Sequence, residues 1–338
     1  MFSLLLVLAW PSLGFSLSQA AGGKPLIVAL PLGVTSEEIQ RALDNLPLTG
    51  GEILLPAQTI EVRQPIILKR NFETLAGAGT RTVLHLADGA NCPVIIMGQP
   101  LNNPRAMVMH LAVSNLFIDG NRARQQRELW QLQGEGSEIR NNGITVQDVS
   151  DSQIEHVTCA RCRSGGLVTT LGVRRLSVTD LNSFDNQFDG LACYLTEDST
   201  FAKLFLHDNP GAGISLDLAF DHNVVTGAVL DSNDLGIFMR ASRDNQFHDI
   251  SIRQSHNFGV FMAQAVEQTA SGWQRDPQTE CTNNSFTNFS ANKCGSAAFR
   301  VNDLDCTNNV IIGAQFDDPA HGLSMVEPNL LTIQGVAR

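Results

Sequence analysis

The sequence predicts an all-β fold, a single-stranded parallel β-helix (a solenoid), and three observations support this prediction. The first is a line of six residues that recurs from residue 143 onward, beginning at Gly143, Gly166, Gly190, Gly213, Gly236, Gly259, Ser296 and Gly322. The first five steps between these residues are 23, 24, 23, 23 and 23 residues long. A unit of this size cannot bury an apolar face alone, but stacked copies can.

The other two observations concern what each unit contains. Each line is a short run of β-forming residues without a helical stripe, and a second such run follows, as in NVVTGAVL and NNVIIGAQF. The third observation is an asparagine just before this second strand in several units, at Asn223, Asn245, Asn284 and Asn309. Stacked at ~4.8 Å, these side chains would form a ladder of amides. The missing leucine frame and the low strand count per period exclude a leucine-rich repeat and a propeller.

The first part of the chain supplies further strings of the same kind. Residues 36–62, SEEIQRALDNLPLTGGEILLPAQTIEV, predict a short amphipathic capping helix and an opening strand, and residues 73–95 and 115–122 contain GAGTRTVL and NLFIDGNR. With these strings and the repeat, nearly the whole chain resembles the right-handed parallel β-helix proteins of the pectate lyase-like superfamily. That superfamily includes lyases, hydrolases, epimerases, phage spikes and non-catalytic adhesins, so the resemblance implies the fold more specifically than the chemistry.

The domain organisation follows from the same pattern. Residues 1–20 are uncharged and apolar, and Ser18 and Ala20 are small residues suited to a cleavage site, so they predict a signal peptide. The n-region lacks Lys and Arg, which leaves a membrane anchor as the alternative. We expect residues 21–338 to form one exported β-helix domain, secreted or held in the periplasm or cell envelope. Its clean coils start at residue 143, and insertions fall at about 121–142 and 264–280.

Charge and cysteine content exclude several classes of function. A net charge of −11 argues against nucleic acid and against an anionic membrane surface as partners. Cys159 and Cys162 form one CxxC without a second pair or flanking histidines, so a metal site is not indicated. Cys281 and Cys306 stand in near-identical strings of two repeats, and we interpret the seven cysteines as small buried residues rather than as disulfides.

Side-chain direction follows from the alternation within each line. Positions one and three after the glycine are mostly apolar and should face the core, so positions two and four should face outward. The fourth position, called here the +4 column, reads Gln147, Thr170, Tyr194, Asp217, Arg240, Ala263, Arg300 and Val326. Tyr194 is the only tyrosine of the chain, and the column predicts that it stacks beside Asp217 and Arg240 on successive coils.

A tyrosine, an acid and an arginine suit proton abstraction next to a carboxylate, the chemistry shared by uronate lyases and epimerases. Arg240 would stabilise the developing enolate and Tyr194 would donate or receive a proton. His207 is the histidine nearest in register to these coils and is the second candidate for the general base. The alternative is a solvated cross-strand salt bridge between Asp217 and Arg240, which an exposed sheet forms readily.

The two insertions contain Trp130 and Trp273, and each flanks the glycine-led strands on a different side. We expect them to wall a groove over this sheet, with the indoles and Arg300 binding sugar. The alternative is that each tryptophan pins its own loop to the body.

A row of acids falls eight positions after the glycines, at Asp151, Asp198, Asp221, Asp244 and Glu267. This edge could supply oxygen ligands for Ca²⁺, or it could be a set of exposed turns in which Asp is favoured. Other acids precede the glycines, among them Asp189.

Two functional hypotheses and a third remain. The strings NTD, DD and GHG of pectinase-type hydrolases and the DPHD string of mannuronan epimerases are absent in the required places, so no catalytic residue carries over from the superfamily. The first hypothesis is a lyase or epimerase of an acidic polysaccharide, and the second is a non-catalytic glycan-binding or cell-envelope β-helix. The third is inverting hydrolysis by Asp217 with Asp198 or Asp221, which needs carboxyls ~6.5–9.5 Å apart.

Overall fold

The computed structural model of the chain describes residues 26–101, 104, 106–128, 139–264, 280–316, 322–328 and 330–335. Within these residues there are one α-helix, α1 (Ser36–Asp44), two 3-10 turns (Gly79–Arg81 and Arg122–Arg124) and 27 β-strands. The strands are β1 Ile27–Ala29, β2 Gly51–Leu54, β3 Thr59–Val62, β4 Ile66–Leu68, β5 Glu73–Ala76, β6 Val83–Leu86, β7 Ile95–Met97, β8 Val108–Met109, β9 Ala112–Asp119, β10 Ile144–Gln147, β11 Val149–Ala160, β12 Leu167–Thr170, β13 Val173–Phe184, β14 Leu191–Glu197, β15 Thr200–His207, β16 Ala212–Asp221, β17 Val224–Asp231, β18 Leu235–Arg240, β19 Ser242–Arg243, β20 Gln246–Arg253, β21 Phe258–Ala263, β22 Ser285–Asn292, β23 Ala297–Val301, β24 Asn309–Ile312, β25 Gln315–Phe316, β26 Leu323–Met325 and β27 Leu331–Gln334.

These strands stack in parallel into a right-handed β-helix of about 11 turns, which confirms the predicted fold class. One sheet, called here the glycine sheet, contains the strands that follow the repeat glycines, with β4, β7, β10, β12, β14, β16, β18, β21, β23 and β26 paired in that order. Each strand pairs with the equivalent strand of the next coil. The glycine sheet therefore presents one side chain per coil in each outward column.

The rest of each coil turns through a narrow edge into a bent second strand. A residue in the left-handed conformation bends the chain after the outward +4 position, as Leu195 does within β14 and Ala241 does just after β18, both at φ 49°. The second strand is bent by another such residue, as at Lys203 with φ 54°. Its column runs through β9, β11, β13, β15, β17, β20, β22, β24 and β27. The segment 331–334 thus adds one more rung to this column, next to β24.

The predicted capping helix is present as α1. Thr35 is its N-cap, and the Thr35 N–H donates to the Glu38 carboxylate (2.9 Å), which completes a capping box. Ile39 and Leu43 are fully buried. The helix packs its apolar face onto the first coils, where β2, β3 and β4 would otherwise end the core in water.

The core fills the inside of the solenoid with one layer of apolar side chains per coil. Leu191, Ile214, Ile237 and Val260 are fully buried at the first position after the glycine, as the alternation predicts. The later coils add large rings, and Phe247 and Phe286 stack with centroids 4.5 Å apart at 7°. All seven cysteines are free thiols, six of them buried and Cys294 half-buried, which agrees with their interpretation as small packing residues.

The repeat glycines are required by close approach of neighbouring coils. A Cβ on Gly190 would lie 2.9 Å from the carbonyl oxygen of Gly213, and a Cβ on Gly213 would lie 3.0 Å from that of Gly236. Such distances are too short for a side chain, so each glycine lets the next coil sit directly against it.

The predicted asparagine ladder is confirmed, and a second one accompanies it. The Asn245 Nδ2 donates to Asn284 Oδ1 (2.9 Å), and that of Asn284 donates to Asn309 Oδ1 (3.0 Å). The second ladder was not predicted and joins Asn186, Asn209 and Asn233 at the opposite corner of the coil. Together the two ladders supply hydrogen-bond partners to backbone groups that the turns would leave unpaired.

The register corrects one repeat boundary. Val260 pairs with Phe299 and Phe299 pairs with Leu323, so Ala298, not Ser296, occupies the glycine position of its coil. The expected line beginning at Ser296 is therefore two residues out of register. Ala298 tolerates the close approach because its Cβ is the smallest that a non-glycine residue can bring.

No helix in the described part of the chain is long and apolar enough to span a membrane. The predicted signal peptide, residues 1–20, lies outside the described residues.

Candidate functional site

Tyr194, Asp217 and Arg240 lie on neighbouring rungs of the glycine sheet, as the +4 column predicts. Tyr194 pairs in register with Asp217, and the pairing of Leu216 with Met239 places Arg240 next to Asp217 on the following coil. Cys193, Leu216 and Met239, the residues just before them, are fully buried in the core. Alternation along the strand therefore turns all three functional side chains to the outer face.

Asp217 and Arg240 form a bidentate ion pair. The Arg240 Nε donates to Asp217 Oδ1 at 2.9 Å, and Nη2 donates to Oδ2. Asp217 Oδ1 also accepts from the N–H of Leu218 (2.9 Å). The Asp217 side chain is 7% exposed and that of Arg240 is 28% exposed, so the pair is largely desolvated. Asp217, chiefly by hydrogen bonding to the guanidinium, raises the pKa of Arg240 above its ordinary value.

Arg240 has a second contact that fixes its direction. Its guanidinium carbon lies 5.6 Å from the centre of the Phe238 ring, two residues earlier on the same strand. The bonds to Asp217 use Nε and Nη2, and none of the hydrogen bonds recorded among the described residues uses Nη1. The Nη1 side of the guanidinium is therefore the part that can receive an anionic group.

Tyr194 is half-buried, and its surroundings keep it protonated. Burial raises the pKa of the phenol well above its ordinary value, and the negative charges of Asp189 and then Asp217 raise it further. Arg140 acts in the opposite direction. A phenol in this setting is a hydrogen-bond donor and a proton donor at neutral pH, and it is a poor base.

Asp189 joins this group, although the sequence singled it out only as one of several acids ahead of the glycines. It precedes Gly190 directly, is half-buried, and accepts the N–H of Ala212 on its Oδ1 at 2.7 Å. Burial raises the pKa of its carboxyl to about 6, while the hydrogen bond from Ala212 opposes this shift. Asp189 is thus the carboxyl of this group that titrates near neutral pH.

The outer face of the glycine sheet is covered at one end. Gln147, in the same column as Tyr194, is fully buried, and its Nε2 donates to the carbonyl oxygens of Gln99 and Leu101, the latter at 2.9 Å. The segment 99–101 thus covers the column before it reaches Tyr194. Phe238 and Phe261, farther along, remain partly exposed.

Arg300 is not in the +4 column, which corrects the sequence prediction. It pairs with Phe261 and with Ser324, so it lies in the outward column at the second position after the glycine. The reason is the shifted repeat boundary at Ala298. Arg300 still lies on the outer face of the glycine sheet, partly exposed.

His207 lies elsewhere, at the end of β15 in the second sheet. Its ring stacks between Phe184 (centroids 4.8 Å apart) and Phe205 (4.2 Å), and its Nδ1 lies 2.6 Å from Asp208 Oδ2. In register, His207 also pairs with Asp231 of β17, the neighbouring strand of the second sheet. The structure therefore does not bring His207 to the Tyr194 group.

The structure corrects the position of one acid in the predicted row. The turn after Asp217 contains two left-handed residues, Leu218 and Ala219, which shifts Asp221 by one position. Asp221 pairs with Glu197 and Arg243 and forms an ion pair with Arg243 (3.0 Å).

Basic residues also interrupt this edge at other coils. Both carboxylate oxygens of Asp151 accept from Arg175, at 2.6 and 2.7 Å. No group of three or more His, Cys, Asp or Glu in the described parts of the chain could hold a metal ion. Ca²⁺ binding stays a prediction, and Asp221 lies one position away from the place that the predicted row of acids gives it.

Trp130, Trp273 and Glu267 lie outside the described residues, as do all of residues 129–138 and 265–279. That the two insertions wall a groove over the glycine sheet therefore stays a prediction.

The fold is similar to solved structures that share little sequence with this chain. The A-module of the Azotobacter vinelandii mannuronan C-5 epimerase AlgE6 superposes with a TM-score of 0.59 at 14% identity, over 89% of this chain and 94% of that chain. An alginate lyase from a Paenibacillus species gives 0.57 at 12% identity, over 92% and 99%. The N-terminal fragment of the bacteriophage phi29 gene product 12 gives 0.64 at 14% identity, over 89% of this chain and 54% of that chain. At these identities the likeness shows the right-handed parallel β-helix and no shared activity.

Two sequence comparisons complete the picture. No curated protein matches the chain significantly. A family profile described as periplasmic copper-binding protein (NosD) matches residues 80–333, which is most of the solenoid from its first coils to its last strand. The chain therefore belongs to the NosD family.

Proposed function

We propose that this chain is an exported lyase or epimerase of an acidic, uronate-containing polysaccharide, which removes the proton next to the sugar carboxylate. The observation that carries the proposal is the alignment of Tyr194 with the Asp217–Arg240 ion pair on three successive coils, beside a carboxyl that titrates near neutral pH. A mannuronan epimerase and an alginate lyase share the fold, and the family description is periplasmic, which supports export.

The reaction requires a base, an acid and a group that stabilises negative charge. The base takes the proton from C5 of the uronate. The electron pair of the broken C5–H bond moves onto the adjacent carboxylate and gives an enolate. In β-elimination the pair then forms the C4–C5 double bond while the C4–O bond breaks and the leaving oxygen takes a proton. In epimerisation a proton returns to C5 from the opposite face.

Arg240 suits the enolate. Asp217 holds the guanidinium in one orientation through Nε and Nη2. The Nη1 atom makes no hydrogen bond to the residues that the structure describes, so the sugar carboxylate can pair with it. A fixed cation in a largely desolvated place stabilises charge that grows in the transition state without having to reorganise.

Asp189 and Tyr194 divide the proton transfers between them. Asp189 has a pKa of about 6 and is mostly ionised at neutral pH, so it serves as the base. Tyr194 has a pKa above its ordinary value and stays protonated, so it serves as the acid. Environments that push two neighbouring titratable groups to opposite roles are typical of acid–base sites.

The test is a screen of the purified chain against polygalacturonate, polymannuronate and polyguluronate. β-Elimination gives unsaturated products that absorb in the ultraviolet, and epimerisation in D₂O introduces deuterium at C5, which NMR detects. We expect Tyr194→Phe and Asp189→Asn each to lower turnover by about 10²–10⁴-fold. The rate should rise with pH through about 6 as Asp189 ionises.

His207→Gln provides the comparison, because His207 is the rival base and lies on another sheet. We expect it to keep wild-type turnover. If His207→Gln abolished the reaction while Asp189→Asn left it intact, the assignment of the base would be wrong. If Tyr194→Phe turned over normally, the role of the phenol would be refuted.

A non-catalytic glycan-binding or envelope protein is the second candidate. The observation that favours it is that both oxygens of Asp217 are engaged by Arg240, an arrangement that a purely structural ion pair would also have. A protein that bound uronate oligomers but gave neither unsaturated product nor deuterium exchange would support this function. Inverting hydrolysis ranks lowest, because Asp217 and Asp221 are each tied to an arginine.

We do not propose copper binding for this chain. Copper sites are built from thiolate, thioether and imidazole ligands brought together, and the described residues contain no such cluster of three or more His, Cys, Asp or Glu. Burial raises the pKa of the Cys162 and Cys193 thiols to about 12, so they stay protonated and are poor ligands. The residues that the structure describes therefore do not fit the metal named in the family description.

A further inference from the structure

Two phenylalanine rings form an apolar strip on the outer face of the glycine sheet, beyond the Tyr194 group. Phe238 and Phe261 pair on adjacent coils, and their rings lie 6.0 Å apart at 8°. Phe258 leans on Phe261 at 5.4 Å. Ser215, which precedes Phe238 in this column, is buried, whereas the rings are partly exposed. Partly exposed rings on the outside of a solenoid, where the core gains nothing from them, mark a binding surface.

Arg300 occupies the next rung of the same column, and its charge is not neutralised by the residues that the structure describes. Its Nη1 donates to Ser324 Oγ (2.7 Å), and its Nη2 donates to Asn302 Oδ1 (3.2 Å). The nearby Asp303 carboxylate accepts instead from Asn302 and from the N–H of Gln264. Arg240 differs because Asp217 neutralises it.

These observations fit an anionic sugar chain. The apolar strip suits the C–H surface of sugar rings, and a guanidinium held by two neutral partners suits a carboxylate. In a protein with a net charge of −11, an outer-face arginine that has no acidic partner among the described residues is a local attractor for anions.

We propose that Phe238, Phe261 and Arg300 form a second binding surface, which holds a uronate oligosaccharide along the solenoid axis. The coils of Arg240 and Arg300 are two rungs apart, or ~9.6 Å at the usual strand spacing. A chain with a carboxylate on each sugar can therefore reach both arginines while its rings cross the phenylalanines. This inference rests on the proposed substrate class but not on catalysis.

The test is calorimetric titration of the full chain with a hexagalacturonate and a hexamannuronate, with maltohexaose as the neutral probe. We expect Arg300→Gln to weaken binding of at least one uronate by about 10-fold or more. Arg300→Lys should lose about half of that effect on a logarithmic scale, because it keeps the charge and loses the planar fork. Phe261→Leu should weaken binding several-fold while keeping an apolar side chain.

Arg253→Gln is the matched control, because Arg253 is an exposed arginine at the end of β20 in the second sheet. It should bind like wild type. The proposal is overturned if Arg300→Gln binds like wild type, if Arg253→Gln loses as much affinity, if maltohexaose binds as well, or if no uronate binds. Turnover without an effect of Arg300→Gln on affinity would sink this proposal alone, whereas binding without turnover would sink the proposed catalysis alone. Far-ultraviolet circular dichroism confirms that each variant is folded.

Discussion

Removing Arg240 should cost far more stability than removing its partner. The Arg240→Met variant leaves the Asp217 carboxylate, 7% exposed, with the N–H of Leu218 as its remaining donor among the bonds described. Breaking a buried ion pair on one side typically costs about 3–5 kcal/mol, because the uncompensated charge stays in a poorly solvated place. Loss of the contact with Phe238 adds about 0.5–1 kcal/mol. We therefore expect a total loss of about 3.5–6 kcal/mol in the free energy of unfolding.

Removing the charge of Asp217 instead should cost less stability, because the Arg240 guanidinium is 28% exposed and can turn towards water. We expect Asp217→Asn to cost about 1–2 kcal/mol. The double variant Asp217→Asn/Arg240→Met should be more stable than Arg240→Met alone, since it removes the stranded charge.

The assay is urea unfolding followed by circular dichroism at neutral pH, with differences taken from the midpoints at a shared slope. The reasoning is refuted if Arg240→Met loses less than about 1 kcal/mol, or if the double variant is the less stable of the two. Either result would show that Asp217 reaches solvent or other donors.

Three other variants test the fold and its pH dependence. Asn245→Ala removes four ladder hydrogen bonds and should cost about 3–5 kcal/mol, whereas Asn288→Gly, at an exposed position with φ 53°, should cost less than about 1 kcal/mol; equal urea midpoints would contradict the ladder. Burial raises the pKa of Asp189 from 3.8 to about 6, so its contribution is fully present below pH 3.8 and is lost as the pH rises through about 6. Asp189→Asn should therefore stabilise the protein at pH 7.5 by about 1–2 kcal/mol, after allowance for partial exposure, and should not do so at pH 4; thermal melts at both pH values check the sign. The Arg175 hydrogen bonds lower the pKa of Asp151 to about 2, so this pair stabilises above pH 3.8 and the benefit is lost as the pH falls towards 2. Arg175→Gln should cost at most about 1 kcal/mol at pH 7 and less as the pH falls towards 2, and a cost that is the same at both pH values would exclude the ion pair as its cause.

The sequence predicted the fold and the direction of the central side chains because both follow from local periodicity. A fixed period places each glycine against the next coil, and alternation then decides that Tyr194 faces outward beside Asp217. The same reasoning predicted the ladder that contains Asn245. The second ladder, at Asn186, Asn209 and Asn233, was visible in the sequence as the same spacing and could have been found by the same search.

Counting from the glycines fails wherever a turn gains a residue or the glycine is replaced. Asp221 was misplaced because Leu218 and Ala219 both adopt the left-handed conformation, and the spacing of glycines cannot reveal where in a coil an extra residue lies. Arg300 was misplaced because Ala298 takes the glycine position. Both errors concern turn geometry, which depends on contacts with neighbouring coils.

Burial of the outer face could not be predicted from local pattern either. Gln147 is covered by carbonyl groups of a segment 46 and 48 residues earlier in the chain. The raised pKa values of Tyr194 and Asp189 likewise depend on how much water such coverings exclude. A repeat shows which side chains share a face, and only the folded chain shows how wet that face is.

The stacking of coils also limits how such a protein can change. Backbone hydrogen bonds between rungs hold neighbouring coils ~4.8 Å apart whatever the side chains are. A substitution in an outward column therefore changes the side chain at one position without moving the neighbouring positions of that column. Duplication of a whole coil would add one position to each outward column at the same spacing. Selection on such a scaffold can rewrite the order of charges and rings along the axis while the distances between them stay the same.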